Sequence, residues 1–527
     1  MNLSRLLARG QPPVRPRPAR VDVMLLLEGT FPYVRGGVST WVDQMIRAFP
    51  DYRFGICFLG SRPKDYPQQR YVLPDNVVHH EDYYLHDFKP AAAARPREGD
   101  APAFAAMGEL HDTLRNPALR RAAGVMLKGM LADLGAGGKL SEDAFLHSRE
   151  AWEFIAERYR IHCTDPSFVD YFWTVRMMHL PLWQLARIAE GLPRAGVYHA
   201  VSTGYAGFLG ALAHYRSGRP LCVSEHGIYT KERKIDLFQS EWVRDNRSIF
   251  ERDVSQVGYY RDLWVRFFET LGQVCYDAAD EIVALYEGNR RRQIVDGAPA
   301  HRTSSIPNGV DLPRFAALRA ARGRARPKVL CLIGRVVPIK DVKTFIRAML
   351  TVLRHEPDAQ AWIAGPEDED ETYSLECRNL IESLGLAERV RLLGFRRIDE
   401  LLPQVGVLVL SSISEALPLV VLEGFAAGVP AVVTDVGACR ELIEGRDADD
   451  AALGAAGRVV QIADPAALAD AALELLRDDA AWLAAQRAGM ARVERYYTQE
   501  QMIDAYRTRY ARMIGLPTLA DARAERA

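Results

Sequence analysis

Short apolar runs alternate with segments of helical periodicity throughout the second half of the chain. The runs are rich in β-branched residues and span residues 329–334, 359–365, 389–394, 407–412, 430–436 and 457–462. Between them, residues 342–355 and 374–385 repeat their apolar positions with a helical period. Continuous apolar strands that alternate with helices are typical of a parallel sheet covered on both faces. The pattern predicts a Rossmann-like domain over residues 316–495.

The first half shows the same alternation less regularly. Its candidate strands span residues 21–29, 53–60, 196–202, 220–227 and 281–286, and its helices are expected at 37–48, 205–216 and 258–279. Between about residues 61 and 190, alanine-rich and aromatic segments with helical spacing interrupt the alternation. We therefore predict an α/β chain whose second Rossmann-like domain, residues 21–315, carries a helical insertion at about 61–190.

Two doubly wound domains in tandem are expected to face each other across a cleft, with ligands beyond the carboxyl ends of the strands. Residues 1–20 are basic and rich in proline, which predicts a flexible N-terminus without the apolar core of a signal peptide. Residues 496–513 repeat their apolar positions with a helical period. We expect a final helix there, followed by a tail that ends at residue 527.

Composition narrows the class of protein. Of the 527 residues, 48% are hydrophobic and 26% charged, and the formal net charge is −1. Such a chain is globular, and no global field recruits nucleic acid or an anionic membrane. The seven cysteines are scattered, which argues against a disulfide framework or a zinc site and favours the cytoplasm. No stretch of about 18 apolar residues occurs, so association with a membrane would require partners.

A glycine, an arginine and a lysine follow the strand predicted at 329–334. Gly334 lets the chain turn closely around a ligand, and Arg335 and Lys340 project from the loop at the carboxyl edge. Their charges suit a diphosphate, because arginine binds two oxygens at once and lysine acts as a compact cation. The alternative is two solvated surface cations.

Glu415 and Glu423 follow the strand predicted at 407–412 and are eight positions apart. A helix is expected to begin near Pro418, which places Glu415 before it and Glu423 inside it. The N–H groups clustered at the start of this helix form an inherent anion site and belong to Ala416, Leu417 and Leu419. A phosphate there would leave each glutamate to accept a hydroxyl of a flanking sugar. The alternative is an ion pair for Glu415 and a solvated face for Glu423.

The order of these motifs resembles the GT4 family of retaining GT-B glycosyltransferases. The family's E-x7-E motif matches 415–423, its GR…K pair matches 334–340, and 306–315 and 392–395 are similar to two further segments. Residues 28–42, EGTFPYVRGGVSTWV, together with the helical insertion, resemble the Pel exopolysaccharide glycosyltransferase family, PelF. The likeness extends over roughly residues 20–515, and it implies that the segment 496–527 begins with a helix that crosses back to the N-terminal domain.

The resemblance implies a role for each matched residue. Arg335 and Lys340 would hold the donor diphosphate, Glu415 would contact the donor sugar and Glu423 the ribose hydroxyls. The remaining implied positions are a loop that closes over the donor (Gly36 and Gly37), backbone contacts to the base (Phe395 and Arg396) and an active-site histidine near the donor sugar (His226). A single histidine is also often a structural residue, so that alternative stays open for His226.

The function expected from this resemblance is transfer of a hexose or N-acetylhexosamine from a UDP-sugar to a growing polysaccharide. The UDP-sugar would be a co-substrate, with no other cofactor, and the partner implied is an inner-membrane Pel-type synthase complex that the protein meets on the cytoplasmic side. One alternative is a non-catalytic nucleotide-sugar-binding subunit or scaffold. Another is an epimerase or phosphorylase on the same fold, although no motif for a cofactor-anchoring lysine is present.

Three other groups of residues have two interpretations each. Acidic clusters at 366–371 and 446–450 resemble metal sites, but Arg335 and Lys340 already supply positive charge, so we predict solvated loops and no metal. The charges at 231–234 favour a solvated run over an acceptor site. Aromatic residues of the insertion are predicted to pack in the core rather than to stack on sugars, namely Trp152, Phe154, Tyr171, Phe172, Trp173 and Trp183.

Overall fold

The computed structural model of the protein describes residues 20–86, 98–116, 119–135, 137–240, 243, 258–322 and 326–515. The chain divides into two compact units. Unit 1 comprises Met1–Val283, Gln293–Ser304 and Arg507–Ala527, and unit 2 comprises Ala284–Arg292 and Ser305–Tyr506. Most of the predicted flexible N-terminus, residues 1–19, and the tail 516–527 lie outside the described residues.

Unit 1 is built on a seven-stranded sheet with the order β3-β2-β1-β4-β5-β6-β7. Its strands are Val21–Glu28 (β1), Phe54–Gly60 (β2), Val77–Tyr84 (β3), Ala195–Ala200 (β4), Leu221–Glu225 (β5), Glu281–Ala284 (β6) and Thr303–Ser305 (β7). The pairings of β1 with β2 and β4, of β2 with β3 and of β4 with β5 are parallel. Burial on both faces explains why the sequences of such strands are continuously apolar, and in β2 every residue is buried.

The described residues of the first part of the chain form ten helices, of which α10 is counted mostly with unit 2. They are Gly37–Ala48 (α1), Ala101–Arg115 (α2), Arg120–Leu134 (α3), Glu142–His147 (α4), Arg149–His162 (α5), Phe168–Gly191 (α6), Tyr205–Ser217 (α7), Tyr229–Gln239 (α8), Tyr259–Ala278 (α9) and Glu287–Val295 (α10). Among the described residues, no strand lies between helices α2 and α6. Their buried side chains join the same hydrophobic core as the sheet and helices α7 and α9.

Unit 2 contains a six-stranded parallel sheet with the order β10-β9-β8-β11-β12-β13. The strands are Val329–Ile333 (β8), Gln360–Ala364 (β9), Val390–Gly394 (β10), Val407–Leu410 (β11), Ala431–Thr434 (β12) and Gly457–Val460 (β13). The helices are Leu312–Ala321 (α11), Val342–His355 (α12), Glu371–Ser383 (α13), Ile398–Leu401 (α14), Leu419–Ala426 (α15), Cys439–Glu444 (α16), Ala448–Ala451 (α17), Pro465–Arg477 (α18), Asp479–Tyr496 (α19) and Gln499–Ile514 (α20).

The apolar spacing of α12 shows why these segments are helices. Val342, Phe345, Ile346 and Met349 are completely buried and recur at intervals of three and four residues, so they form one face. Asp341 begins the helix, because its side chain accepts a hydrogen bond from the backbone N–H of Thr344. The structure thus confirms the predicted doubly wound α/β class, and α12 has the bounds predicted from sequence.

Two strands of the unit 1 sheet were not predicted. Strand β3 has the sequence VVHHEDYY and pairs with β2 at the edge of the sheet, and β7 has only three residues at the opposite edge. Edge strands bury less apolar surface than central ones, so their sequences are less apolar. Strand β3 falls inside the range 61–190, where we expected helices, and helices do occupy Ala101–Gly191 of that range.

Helix α20 continues from unit 2 into the residues counted with unit 1. In unit 1, the hydroxyl of Tyr510 lies 2.6 Å from Nδ1 of His199 in strand β4. Arg507 donates a hydrogen bond to the carbonyl oxygen of Ala48, at the end of α1. Arg512 forms an ion pair with Glu281 at the start of β6. The final helix is therefore anchored to unit 1 by specific polar contacts.

Each sheet reverses its strand order once. In unit 1 the reversal lies between β1 and β4, and in unit 2 it lies between β8 and β11. The loops that leave the two central strands diverge at such a topological switch point and open a crevice at the carboxyl edge. No helix among the described residues is long and apolar enough to cross a membrane.

Candidate active site

Lys340 and Glu415 meet at the switch point of unit 2. Lys340 follows β8 and Glu415 follows β11, and the ammonium Nζ of Lys340 lies 2.5 Å from Oε1 of Glu415. The side chains are 21% and 14% exposed, respectively, so the pair is sheltered yet reachable. Ser412 donates a second hydrogen bond to the same Oε1, at 2.6 Å. The geometry fixes one cation and one carboxylate at the edge where doubly wound sheets bind ligands.

Hydrogen bonds connect the loop after β8 to the loop after β11. The hydroxyl of Ser411 donates to the backbone carbonyls of Lys340 and Asp341, at 3.0 Å each. The N–H of Ile413 donates to the carbonyl of Ile339 at 2.9 Å. Asp341 adopts the left-handed conformation, with φ 42°, which lets the chain turn into α12 directly after Lys340. The position of the lysine is thus set by the backbone as well as by its ion pair.

Two glycines permit the close approach of neighbouring loops at this edge. A Cβ atom on Gly365, which follows β9, would lie 1.8 Å from the carbonyl oxygen of Gly334. Gly437, which follows β12, has φ +55°, and a Cβ there would lie 2.3 Å from the carbonyl oxygen of Glu415. Only glycine fits either position without displacing the backbone. Gly334 therefore lies where predicted, packed against a glycine that was not predicted.

Arg335 does not contact the Lys340–Glu415 pair in this structure. Its guanidinium forms an ion pair with Glu369, which belongs to the acidic cluster 366–371, and the two side chains are 43% and 46% exposed. Gly334 and Gly365 bring the loops after β8 and β9 together, which explains how the pair forms. A half-exposed ion pair of this kind contributes little to stability, so the guanidinium is free to exchange partners.

Helix α15 begins directly beside Glu415. Its N-cap residue is Pro418, whose side chain accepts no hydrogen bond from the first turn of the helix. The first N–H groups of a helix have no partner within it and carry partial positive charge. Leu417 and Pro418 are buried, whereas Ala416 and Leu419 are half-buried. The helix start lies where the spacing predicted it, next to a lysine that adds full positive charge.

Glu423 lies in the second turn of α15 and is half-buried. Burial raises the pKa of its carboxyl to about 7, while Arg314 opposes and Asp399 supports this shift. Those two residues form an ion pair with each other, with Nη2 of Arg314 2.8 Å from Oδ1 of Asp399. The alternative for Glu423 was a position on a solvated helix face. The structure differs from it, because the surroundings of Glu423 are largely apolar.

The residues predicted to contact a base follow β10 at the same edge of the sheet. Phe395 is 56% exposed, and Arg396 is exposed as well. Gly394, the last residue of β10, has φ +63° and turns the chain toward them. An exposed aromatic ring at a ligand-binding edge offers a flat apolar surface.

His226 lies in unit 1, directly after strand β5. Its side chain is 9% exposed, and its ring packs edge-on against Trp41, with the ring centroids 4.6 Å apart. Its buried Nε2 atom has no hydrogen-bond partner among the described residues. Burial lowers the pKa of this histidine to about 4, so the ring is neutral near neutral pH. The ring also lines a cavity of about 680 Å³.

That cavity lies at the carboxyl edge of the unit 1 sheet. Its polar and aromatic lining includes Glu28, Ser61, Tyr205, His226, Arg233 and Phe268. Glu28 ends β1 at the switch point, where it accepts hydrogen bonds from the hydroxyl of Tyr229 at 2.8 Å and from the N–H of Ala206 at 3.2 Å. The lining of the unit 1 cavity thus contains several hydroxyl groups and aromatic rings and the carboxylate of Glu28.

Glu225 precedes His226 and is almost completely buried. It accepts hydrogen bonds from three side chains, Thr203 at 2.8 Å, Tyr276 at 2.5 Å and Gln293 at 3.0 Å. Burial nevertheless raises its pKa. These contacts hold the strand end that carries His226, so Glu225 positions the histidine.

The two glycines predicted to close over a donor occupy the start of α1. Gly36 is its N-cap and Gly37 its first residue, and both are exposed. A Cβ atom on Gly36 would meet nothing within 4 Å in this structure. Local packing therefore does not require glycine at position 36, and the predicted role of this loop stays a prediction.

The acidic clusters have structural uses that the sequence did not reveal. Asp447 and Asp370 cap helices α17 and α13. Asp450 is completely buried and forms an ion pair with the equally buried Arg492, 2.6 Å away. The prediction of a solvated loop was therefore wrong for Asp450, because its partner lies 42 residues away in sequence. Among the described residues, no group of three or more His, Cys, Asp or Glu side chains is arranged to hold a metal ion.

The aromatic residues of the insertion divide into two groups. Phe154, Tyr171 and Trp183 are buried, as predicted for core residues, whereas Trp152 and Trp173 are 52% and 57% exposed. In the charged run 231–234, Arg233 lines the unit 1 cavity and lies over the ring of Tyr229. It is therefore more than a solvated charge.

Four residues at the unit 2 site were not predicted from the sequence, namely Gly365, Glu369, Ser412 and Gly437. Each lies directly after a strand or in the loop that follows it. Gly334 was identified as a glycine that follows an apolar strand, and Gly365 follows an apolar strand in the same way. Strand-end position was therefore an available signal for the glycines and Ser412, but the pairing of Glu369 with Arg335 was not readable.

Two family models match the chain, each to one unit. Residues 21–301 match the family described as Domain of unknown function (DUF3492). Residues 327–478 match the family described as Glycosyl transferases group 1. The second match contains Lys340, Glu415 and Glu423, and the first contains His226.

The curated relatives match parts of the chain. A D-inositol 3-phosphate glycosyltransferase of Kineococcus radiotolerans is 29% identical over 256 residues, which cover 45% of this chain and 58% of that protein. An exopolysaccharide phosphotransferase of Streptomyces coelicolor is 33% identical over 210 residues, which cover 38% of this chain and 20% of that protein. The matched segments therefore leave a large part of each relative uncovered.

Solved structures match nearly the whole chain at low identity. Anabaena Alr3699/HepE in complex with UDP-glucose has a TM-score of 0.53 at 15% identity, with 94% of this chain and 99% of that chain covered. The sucrose-phosphate synthase of Thermosynechococcus elongatus has a TM-score of 0.54 at 15% identity, with the same coverage. These likenesses confirm the predicted GT-B fold class of two Rossmann-like domains.

Proposed function

This chain belongs to the family described as Domain of unknown function (DUF3492), and we propose that it is a retaining glycosyltransferase. In this proposal it moves a hexose or N-acetylhexosamine from a UDP-sugar to a growing exopolysaccharide without a metal ion. The observation that carries the proposal is the Lys340–Glu415 pair, 2.5 Å apart at the switch point of unit 2. Doubly wound sheets bind their ligands at such points.

Several findings support the donor class. Residues 327–478, which contain this pair, match the family Glycosyl transferases group 1. Solved structures of the same fold contain UDP, UDP with glucose, or UDP-glucose. The exopolysaccharide acceptor is supported by the resemblance of residues 28–42 to the Pel family and by the description of the Streptomyces relative.

The chemistry required is stabilisation of a departing diphosphate. We assign this task to Lys340, Arg335 and the backbone N–H groups at the start of α15, where Ala416, Leu417 and Leu419 lie. The sheltered ion pair with Glu415 holds Lys340 at the edge of the sheet, and Arg335, in its half-exposed pair with Glu369, is free to turn to the diphosphate. Positive charge held in advance costs no reorganisation when the sugar–phosphate bond breaks.

In the proposed step, the bond from the anomeric carbon to the phosphate oxygen breaks and a bond to the acceptor oxygen forms on the same face. The leaving phosphate oxygen accepts the acceptor's proton, so no protein nucleophile is needed. Glu415 contacts the sugar, Glu423 accepts ribose hydroxyls, and Phe395 and Arg396 border the base. In unit 1, His226 orients a hydroxyl of the donor sugar.

Gly36 and Gly37 complete the proposal as the loop that closes over the donor. The acceptor chain would come from an inner-membrane Pel-type synthase complex on the cytoplasmic side. This partner rests on the resemblance of residues 28–42.

The test begins with the purified full chain and a panel of UDP-sugars. Donor binding should raise the thermal midpoint, since a ligand that binds only the folded state stabilises it. Release of UDP with and without an oligosaccharide acceptor then reports turnover. Replacing Lys340 with alanine should lower turnover by about a hundredfold or more, because one preorganised donor is worth that much in an electrostatic site.

The matched control is Lys328→Ala. Lys328 precedes β8, at the opposite end of the same strand, and pairs with Glu356 at 2.7 Å. Its loss should leave turnover within about twofold of normal, since exposed pairs contribute little. Normal turnover in Lys340→Ala would overturn the proposal. Donor binding with no transfer to any acceptor would instead support the non-catalytic subunit.

A further inference from the structure

The helical insertion of unit 1 encloses a second cavity, which we call the insertion cavity. It has a volume of about 210 Å³ and lies among helices α2, α3, α5, α6 and α9. It shares no lining residue with the cavity that contains His226. Nothing in the proposed glycosyl transfer uses it.

The lining of the insertion cavity is almost entirely apolar. The buried side chains that face it include Leu127 of α3, Trp183 of α6, and Leu271 and Val274 of α9. Two histidines of the lining, His111 and His179, have their Nε2 atoms 3.5 Å apart, and burial lowers the pKa of both. They are neutral near neutral pH, so these two histidines add no charge to the lining.

The charged side chains of the lining are all cationic among the described residues. They are Arg115, Arg158 and Arg266, with His162 beside them. Arg115 is exposed and the side chain of Arg266 is 37% exposed, so this part of the lining reaches solvent. The lining therefore has a buried apolar part and a cationic part in contact with water.

The arginines are only partly satisfied by their neighbours. Arg158 forms an ion pair with Asp112 at 2.5 Å, and Arg266 forms one with Asp262. The buried Nε atoms of Arg158 and Arg266 have no hydrogen-bond partner among the described residues. Buried donors without partners are costly, which favours a ligand that brings acceptor oxygens to them.

We propose that the insertion cavity binds a single-chain amphiphile with an anionic head group. The aliphatic chain fills the apolar part, and a carboxylate or phosphate accepts hydrogen bonds from the arginines. A dry cavity of about 150 Å³ holds the six carbons of benzene. Scaling by volume, the insertion cavity holds a chain of about eight carbons.

Other occupants fit the same lining less well. A sugar would bury hydroxyls against side chains that offer them few partners. A neutral hydrocarbon would leave the arginine donors unused, and a cationic amphiphile offers no acceptor to them and would place a like charge beside the guanidinium groups. The proposal is independent of the glycosyl transfer, and its test requires no UDP-sugar.

Isothermal titration calorimetry of the full chain with octanoate tests the proposal. We expect saturable binding at one site, with octanol at least about tenfold weaker and octyltrimethylammonium without measurable binding. Affinity should rise about fourfold for each methylene added between hexanoate and octanoate. Comparison of octanoate with octyl phosphate distinguishes a carboxylate from a phosphate head group.

Two variants connect binding to the cavity. The double variant Arg115→Gln, Arg266→Gln should weaken octanoate binding about tenfold or more and leave octanol unchanged. Arg160→Gln is the matched control, since Arg160 is exposed on α5 near Arg158 but does not line the cavity. Val175→Phe adds volume inside the cavity and should abolish binding of octanoate while the protein stays folded, as checked by its thermal midpoint.

Four results would overturn the proposal. They are no saturable binding of octanoate or octyl phosphate, equal affinity for octanoate and octanol, unchanged affinity in the double arginine variant, and unchanged affinity in a folded Val175→Phe protein. Because the arginine variants alter partly exposed side chains, they test the head-group site even if the filled variant does not fold.

Discussion

The two sheets share the order of six strands but place different charged groups at their switch points. In unit 2, the switch point carries the ammonium of Lys340, which is paired with the carboxylate of Glu415 just before the start of α15. In unit 1, the switch point carries the carboxylate of Glu28, which accepts a hydrogen bond from the N–H of Ala206 at the start of α7. The helix start of unit 2 therefore has a cation beside it, whereas the helix start of unit 1 already donates a hydrogen bond to a carboxylate.

This difference shows that topology alone does not make a phosphate site. Both crevices have the geometry that suits a ligand, but an anion is attracted only where the helix start and its neighbours are positive. The unit 1 edge instead offers hydroxyls, aromatic rings and a neutral histidine, which suit a sugar. We expect the diphosphate to belong to unit 2 and uncharged hydroxyl groups to unit 1.

The strongest test of the comparison removes both cations of unit 2. The double variant Arg335→Ala, Lys340→Ala should weaken binding of UDP by at least about a hundredfold, since each charged hydrogen bond is worth about 1.5–3 kcal/mol. Calorimetry with UDP measures the change. The control pair is Arg378→Ala, Lys328→Ala, which removes two other ion-paired cations of unit 2. UDP binding of normal strength in the first variant would break the comparison.

The complementary test removes the anion of unit 1. Glu28→Ala deprives the buried Tyr229 hydroxyl of its acceptor at 2.8 Å, so the free energy of unfolding should fall by about 2 kcal/mol. Affinity for UDP should stay within about twofold, because the cations of unit 2 are intact. Urea unfolding and calorimetry provide the two measurements. The exposed Glu157→Ala is the control, and a large loss of UDP affinity in Glu28→Ala would contradict the assignment of charge.

A third test uses the titration of Glu423. Burial raises the pKa of this carboxyl to about 7. In most molecules the carboxyl is therefore protonated at pH 6 and ionised at pH 8. The ionised form is the better acceptor of ribose hydroxyls, and UDP affinity should therefore rise with pH, by up to about tenfold over this range. Calorimetry at several pH values measures the rise. In Glu423→Gln the slope should disappear, and an unchanged slope would assign the titration to another group.

The smallest expected effect concerns the support of Glu415. Ser412→Ala removes a hydrogen bond of 2.6 Å to its carboxylate, and we expect turnover to fall about fivefold, which corresponds to about 1 kcal/mol. Steady-state kinetics of UDP release measure it. Ser383→Ala, on the exposed end of α13, should change nothing. A fall as large as that of Lys340→Ala would mean that Ser412 does more than position the glutamate.

Much of the fold was predictable because its strands are central and its helices amphipathic. The bounds of α1 and α12 agree with the sequence pattern residue for residue, since a buried apolar face leaves a clear period. Strands β3 and β7 were missed because edge strands lack the continuous apolar run of buried ones. The sequence placed Lys340 and Glu415 after two different strands, and the sheet order then brought them to one switch point.

The partners of charged side chains were less predictable. Arg335 pairs with Glu369 and Asp450 with Arg492, over 34 and 42 residues of chain. Such pairs depend on which loops the sheet order brings side by side, and no local period records that. The prediction for Asp450 failed for this reason, because an acidic run reads as solvated unless its buried partner is known.

The sequence by itself determined the class of fold, the bounds of most elements and the strand ends on which the candidate site residues lie. These properties follow from local periodicity and from glycine, proline and charge at the ends of apolar runs. Only the tertiary structure decided which charge each switch point presents, that burial raises the pKa of Glu423 to about 7, and that the insertion encloses a cavity with a cationic lining. The burial of a side chain and its charged partners depend on residues that are distant in sequence. Both are therefore determined only when the chain has folded.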